Sequence, residues 1–178
     1  MKRLFSFVAL TLVLLLLSSG QQLRGQELDP FAFVGPGDEL PSFVVDLTNG
    51  QRVDSESLKG GVTLITLWAS WCPSCRNEFK RLAKSNEFAA LLATEGFCFL
   101  PISREESRAT VMAWLQKKGY DYVSGIDEDR SIYSMFASEE VPRNIVVDRN
   151  GTIVYHGTGG TKKELLKVIA ICNEQLTK

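Results

Sequence analysis

An excess of charge of either sign is missing from this chain. Its 178 residues carry 20 Lys and Arg against 21 Asp and Glu, a formal net charge of −1. No cationic run is present to neutralise phosphates, which argues against nucleic acid as a partner. Histidine occurs once, at His156, and cysteine four times. Four cysteines are too few for a disulfide scaffold in a domain of this size. Their spacing is also uneven: a tight pair, Cys72 and Cys75, and two distant singles, Cys98 and Cys172. Internal repeats and low-complexity tracts are absent beyond the first residues. So is an apolar run of the roughly 20 residues that a spanning helix needs.

The apolar stretch from Leu4 to Leu17 follows Lys2 and Arg3 and gives way to Ser18, Ser19 and Gly20. A basic start, an apolar centre and a small-residue exit predict a secretory signal over residues 1–20. A polar spacer over 21–33 and one domain over 34–178 are expected beyond it. No cysteine lies near the boundary, which argues against an N-terminal lipoprotein anchor. The protein is therefore expected to be exported, periplasmic or otherwise extracytoplasmic, and membrane-anchored only if the signal is retained. Hydrophobic residues make up 44% of the chain, a globular composition, and the expected state is a monomer.

Two short strands around Asn49-Gly50 read as a hairpin in "SFVVDLTNGQRV". The β-branched and aromatic run "VTLITLW" has the pattern of a central strand buried on both faces. From Pro73 the sequence turns helical, with Phe79 and Leu82 on one face and Leu91 and Leu92 further on. "GFCFLPIS" is a second buried strand, and Ser103 with Glu106 reads as a capping box for the helix after it. "NIVVD" and "TIVYH" flank "RNG" as a second hairpin. Thr161 and Glu164 then cap a last helix whose Leu165, Val168, Ile169, Cys172 and Leu176 share a face. Strands alternating with helices predict an α/β fold, a mixed central sheet flanked by helices.

Cys72 falls where the central strand hands over to its helix, the end at which open α/β sheets place their sites. Pro73 suits the first helical position. The free N–H groups and the positive end of the helix dipole then favour a thiolate at Cys72, the nucleophile of disulfide exchange. Cys75, one turn on, can close the ring or resolve a mixed disulfide. A structural disulfide would gain little from so short a loop. A zinc site would need Cys98, Cys172 or His156 as further ligands. Cys98 and Cys172 instead read as core residues, and His156 as a surface or strand-end residue. "HGTGGTKK" lacks the spacing of a phosphate loop and reads as a turn.

"LWASWCPSC" resembles the active-site stretch of the thioredoxin superfamily, and the chain from Val34 onward is similar to its exported TlpA-like branch of thiol–disulfide oxidoreductases. That branch includes cytochrome c maturation proteins. The resemblance also rests on "VGPGDELPSFVVDLTNGQRVDSESLKGG", "FCFLPISREESRATVMAWLQKKG" and "VPRNIVVDRNGTIVYHGTG". It implies a thioredoxin fold with an N-terminal β-hairpin and a strand–helix insert. Cys72 becomes the attacking and Cys75 the resolving cysteine. Val141-Pro142 becomes a cis-proline loop that presents backbone to the partner. Glu78 matches a carboxylate of this branch, which could raise the thiol pKa values or relay a proton; a solvated helix residue is the other reading. Trp71 matches a docking surface or a structural aromatic, with Pro73 and Ser74 lying between the cysteines.

Three departures from the pattern stand out. Thr66 replaces a buried acid, so proton handling by that route is expected to be absent. Lys80 replaces a helix-kinking proline, which predicts a straighter helix. Arg143 follows Pro142, where its charge could stabilise the Cys72 thiolate, select acidic partners or point into solvent. The resemblance implies no cofactor. It implies reduction of disulfide-bearing exported proteins, with electrons from a membrane or periplasmic donor. A Cu(I) metallochaperone using the same two thiolates is the alternative, although copper carriers of this fold space their cysteines one residue further apart. A peroxidase is disfavoured, because Ala69 and Cys72 stand where a threonine would precede the peroxidatic cysteine.

Overall fold

The computed structural model describes residues 29–178; the predicted signal, and the spacer as far as residue 28, lie outside the described residues. The hairpin expected around Asn49-Gly50 forms β1 (Val44–Leu47) and β2 (Arg52–Asp54), with Val45 opposite Val53. Gly50 turns the chain at φ +87°, a conformation that glycine adopts without strain. "VTLITLW" is β3 (Val62–Trp68), buried at every position. Such a strand needs cover on both faces, and the fold supplies it.

The helix predicted after the cysteines is two helices. α1 (Pro73–Leu82) stops at Ala83, and α2 (Asn86–Leu92) starts afresh from Ser85, whose hydroxyl caps the N–H of Phe88. The proline expected to kink this segment is absent, yet the chain still breaks three residues after Lys80. Leu91 is buried by the new direction, whereas Leu92 is exposed. β4 (Phe97–Arg104) follows, and α3 (Arg108–Lys118) is capped by Ser107 through the N–H of Thr110. The predicted Ser103–Glu106 capping box is therefore corrected. Ser103 is still in the strand, and Glu106 is turned inward.

β5 (Gly125–Asp127) and the one-turn α4 (Tyr133–Phe136) precede the second hairpin, β6 (Arg143–Val147) and β7 (Ile153–Thr158). α5 (Lys162–Leu176) starts at Thr161, whose hydroxyl caps the N–H of Glu164 as expected. The strands form one sheet in the order β2-β1-β5-β4-β3-β6-β7. β3 is parallel to β4 and antiparallel to β6. The α/β, thioredoxin-type mixed sheet is thus present, with helices on its faces.

Alternation along β3 divides the core. Ile65 and Leu67 pack on one side with Phe43, Tyr133, Phe136 and Ile145. Val62 and Leu64 pack on the other with Phe88, Val168 and Ile169. Thr66 therefore points to the second side, beneath α1. A third cluster gathers Trp68, Phe79, Val111 and Leu115 around Cys72 and Cys75. Residues 29–33, expected in the spacer, pack on the domain. Phe33 N–H donates to Phe136 O at 2.8 Å, and Ala32 bridges to Ala137.

Candidate active site

Cys72 is the N-cap of α1, with extended backbone at φ −79° and ψ 119°, and Pro73 takes the first helical position. The sulfur itself does the capping: Cys75 N–H donates to Cys72 Sγ at 3.4 Å. Ser74 Oγ lies 3.1 Å from the same sulfur. Burial alone would push the Cys72 thiol up. Hydrogen bonds from the Cys75 thiol, the Ser74 hydroxyl and the N–H groups of Cys75 and Ser74 outweigh it, and the thiol lies below its ordinary range. Cys75, completely buried, goes the other way. Burial and its hydrogen bond to Cys72 hold it protonated far above the usual thiol range, and the charge of Glu78 adds to this.

The loop before β6 closes over the pair. The Val141–Pro142 peptide bond is cis, and both the Cys72 thiol and the Ser74 hydroxyl donate to Val141 O at 3.3 Å. Side chains also hold the three carbonyls before it. Arg130 donates to Ser138 O, Arg143 Nε to Glu139 O at 2.8 Å, and Tyr133 Oη to Glu140 O at 2.6 Å. A loop anchored at four successive carbonyls presents a fixed backbone beside the sulfur.

Arg143 corrects the expectation of a solvent-facing charge. Its side chain is fully buried and turned away from the cysteines. Nη1 lies 2.6 Å from Asp29 Oδ2 and 3.4 Å from His156 Nε2. It makes no hydrogen bond to Cys72, whose thiol is lowered by the hydrogen bonds of Cys75 and Ser74 instead. His156 is likewise a buried residue of β7, not a surface one, with Nδ1 2.7 Å from Val34 O.

Glu78 is not a solvated helix residue. It is 1% exposed, and its two oxygens are both engaged. Asn144 Nδ2 donates to Oε1 at 2.7 Å, and Gly160 N–H donates to Oε2. Burial pushes its carboxyl up, and the donors from Asn144 and Gly160, with the charge of Arg81, offset part of that. The segment read as a mere turn therefore covers this carboxylate. Gly159 has no room for a side chain: a Cβ there would lie 2.6 Å from Asn144 Nδ2 and closer still to Glu78 Oε2.

Trp71 stands 50% exposed beside the pair, with the Arg104 guanidinium 5.7 Å from its ring. Beneath it, Glu106 accepts from Ser70 N–H at 2.6 Å, from Ser70 Oγ, and from Ser103 Oγ at 2.8 Å. The sequence gives Glu106 only a capping role and Gly159 and Gly160 only a turn, and it assigns Asn144 no role at the site. Asn144, between Arg143 and the apolar Ile145–Val147, carries no local signal that sets it apart from an ordinary strand start. Cys98 and Cys172 lie in the β4 and α5 layers, apart from the pair. Among the described residues no three His, Cys, Asp or Glu side chains converge to hold a metal ion.

Two thiols of opposite acidity at a helix start, facing a cis-proline loop on a mixed sheet, define a thiol–disulfide oxidoreductase of the thioredoxin superfamily. The chain belongs to the Redoxin family, whose model matches residues 35–170. It is 30% identical to the thiol:disulfide interchange protein DsbE of Pseudomonas aeruginosa, over 73% of this chain and 71% of that protein. To the thiol–disulfide oxidoreductase ResA of Bacillus subtilis it is 23% identical, over 75% of this chain and 73% of the relative. The solution structure of a Bacteroides thetaiotaomicron protein, described as a disulfide isomerase, superposes with a TM-score of 0.78. It shares 28% identity and covers 85% of this chain and 96% of that one.

Proposed function

We propose that this oxidoreductase is an exported reductase of protein disulfides, working through Cys72 and Cys75. The observation that carries the thiol-exchange reading is the placement of Cys72 at the start of α1, its sulfur facing the Val141 carbonyl of the cis-proline loop and accepting from Cys75 N–H, with Cys75 buried one turn behind. The Cys72 thiolate attacks one sulfur of a partner disulfide, and the other partner sulfur leaves with the electron pair and takes a proton. Cys75 then loses its proton to Glu78 and attacks Cys72 Sγ. The Cys72–Cys75 disulfide forms, and the second partner sulfur departs as a thiolate. The partner has gained two electrons and two protons, one of them returned through Glu78 or solvent, and the enzyme is oxidised.

Docking falls to the Val141–Pro142 backbone and to Trp71, with Pro73 and Ser74 forming the rim around Cys72. Arg143 acts from behind, by holding the Glu139 carbonyl. Export is supported by the basic, apolar and small-residue order of residues 1–20. In an oxidising compartment the cycle needs a membrane or periplasmic electron donor.

The test is a redox titration of the domain in dithiothreitol and glutathione buffers, followed by tryptophan fluorescence with Cys72→Ser as control. A reversible two-electron transition near the thioredoxin value of about −270 mV supports a reductase. One near the strong-oxidant value of about −120 mV reverses the direction. Absence of a reversible disulfide overturns the reading, and Cu(I) titration of the reduced protein then tests the metallochaperone.

A further inference from the structure

The position of the missing buried acid, Thr66, is not idle. β3 and β6 run antiparallel with Thr66 opposite Asn144, and Thr66 Oγ1 donates to Asn144 Oδ1 at 2.7 Å. Asn144 Nδ2 donates in turn to Glu78 Oε1 at 2.7 Å. All three residues are buried, at 0%, 1% and 1% exposure. Glu78 lies one helical turn beyond Cys75, on the same buried face of α1.

An ionised carboxylate only accepts, so the Asn144 amide must turn its NH2 to Glu78 and its oxygen to Thr66. Thr66 then has to donate. The direction of the whole chain is set by the charge at its end. A hydroxyl also accepts, so Thr66 can satisfy the reversed amide once Glu78 carries a proton; valine, of the same shape, can do neither.

We infer that Asn144, oriented by Thr66, is a positioning residue for the resolving step, fixing the buried Glu78 carboxylate in the geometry that receives the Cys75 proton. The inference rests on Glu78 as the proton acceptor proposed above. In that step Cys75–SH and the Glu78 carboxylate become a thiolate and a carboxylic acid. The thiolate attacks Cys72 Sγ in the mixed disulfide, and the bond to the partner sulfur breaks with the electron pair leaving on the partner. Without Asn144 the carboxylate loses a donor that favours its charged form, so a higher pH is needed to keep it ready.

Stopped-flow reaction of the reduced protein with 5,5′-dithiobis(2-nitrobenzoate) separates the two steps. The first thionitrobenzoate is released by Cys72 attack and the second by Cys75 attack on the mixed disulfide. Asn144→Leu and Thr66→Val are expected to leave the first phase unchanged and to slow the second near pH 7. Asn144→Leu slows it about tenfold, the effect of losing one hydrogen bond to a charged group, and Thr66→Val about 2- to 10-fold, the effect of losing the neutral bond that orients the amide. The pH at which the second phase reaches half its plateau rises in both, and Thr66→Ser restores it. Glu78→Gln separates the two levels of the argument. If it slows the second phase and Thr66→Val and Asn144→Leu do not, the positioning role is overturned while Glu78 stands. If Glu78→Gln changes nothing, the acceptor itself is wrong. Thr66→Val, nearly isosteric, carries the test should Asn144→Leu fail to fold.

Discussion

The Ser74 hydroxyl lies 3.1 Å from Cys72 Sγ and 3.3 Å from the carbonyl oxygen of Val141, bridging the first cysteine of the pair and the cis-proline loop. Ser74, one of the two residues between the cysteines, is thus part of the acid–base chemistry of the site, although it carries no charge. Ser74→Ala removes a donor that stabilises the thiolate, so the Cys72 pKa rises. A hydrogen bond to a charged group, about 1.5–3 kcal/mol, corresponds to alkylation by iodoacetamide slower by about tenfold or more near pH 7. The loss disappears at alkaline pH, where the thiol ionises regardless. A rate profile from pH 5 to 10 checks this.

Glu106 ties the approach to the site to the sheet. Its carboxylate takes three donors from Ser70 and Ser103, and the next residue after Ser70 is Trp71. Glu106→Ala leaves these donors without a partner and is expected to cost about 3 kcal/mol. For a domain of this size that lowers the melting temperature by about 6–12 °C. Trp71 fluorescence in the reduced state should shift as well, since its loop loses its anchor.

Stability should depend on pH through the buried Arg143 cluster. Burial lowers the His156 pKa from its ordinary value, and the Arg143 charge adds to this, while Val34 O and Asp29 oppose it. The unfolded chain then binds a proton that the fold refuses. Stability is full above about pH 7 and falls as the pH drops through the unfolded value near 6.5. His156→Gln should flatten that limb in urea denaturation.

Asp29 has the opposite source and the same sense. Its hydrogen bond from Arg143 holds the carboxyl below the usual range. The stability it contributes is present above the unfolded pKa of about 3.9 and is lost as the pH falls through the folded value. Asp29→Asn is expected to cost about 1–2 kcal/mol at pH 7 and almost nothing in strong acid.

Gly159→Ala tests the cover over Glu78. The new methyl would meet Asn144 Nδ2 at 2.6 Å, well inside ordinary contact, so the strap or the carboxylate must shift. The expected outcome is a slower second phase with 5,5′-dithiobis(2-nitrobenzoate) and an unchanged first phase. Equal slowing of both phases would show that the strap supports Cys72 rather than Glu78.

Neighbouring residues in the sequence determined where the cysteine pair sits, the strand it follows and the helix it starts. A strand run, an N-cap, a proline at the first helical position and a four-residue cysteine spacing act within one or two turns of chain, and local periodicity carries them. Both hairpins and the cap at Thr161 were legible for the same reason. Only the tertiary structure decided what surrounds the pair. Thr66 and Asn144 meet 78 residues apart because β3 and β6 share a register. Glu78 lost its solvent because a glycine strap from the far end of β7 covers it. Arg143 turned inward because Asp29, 114 residues earlier, meets its charge. Each outcome depends on which distant partner the sheet order brings within hydrogen-bond distance of a buried polar group, and no spacing within one segment encodes that.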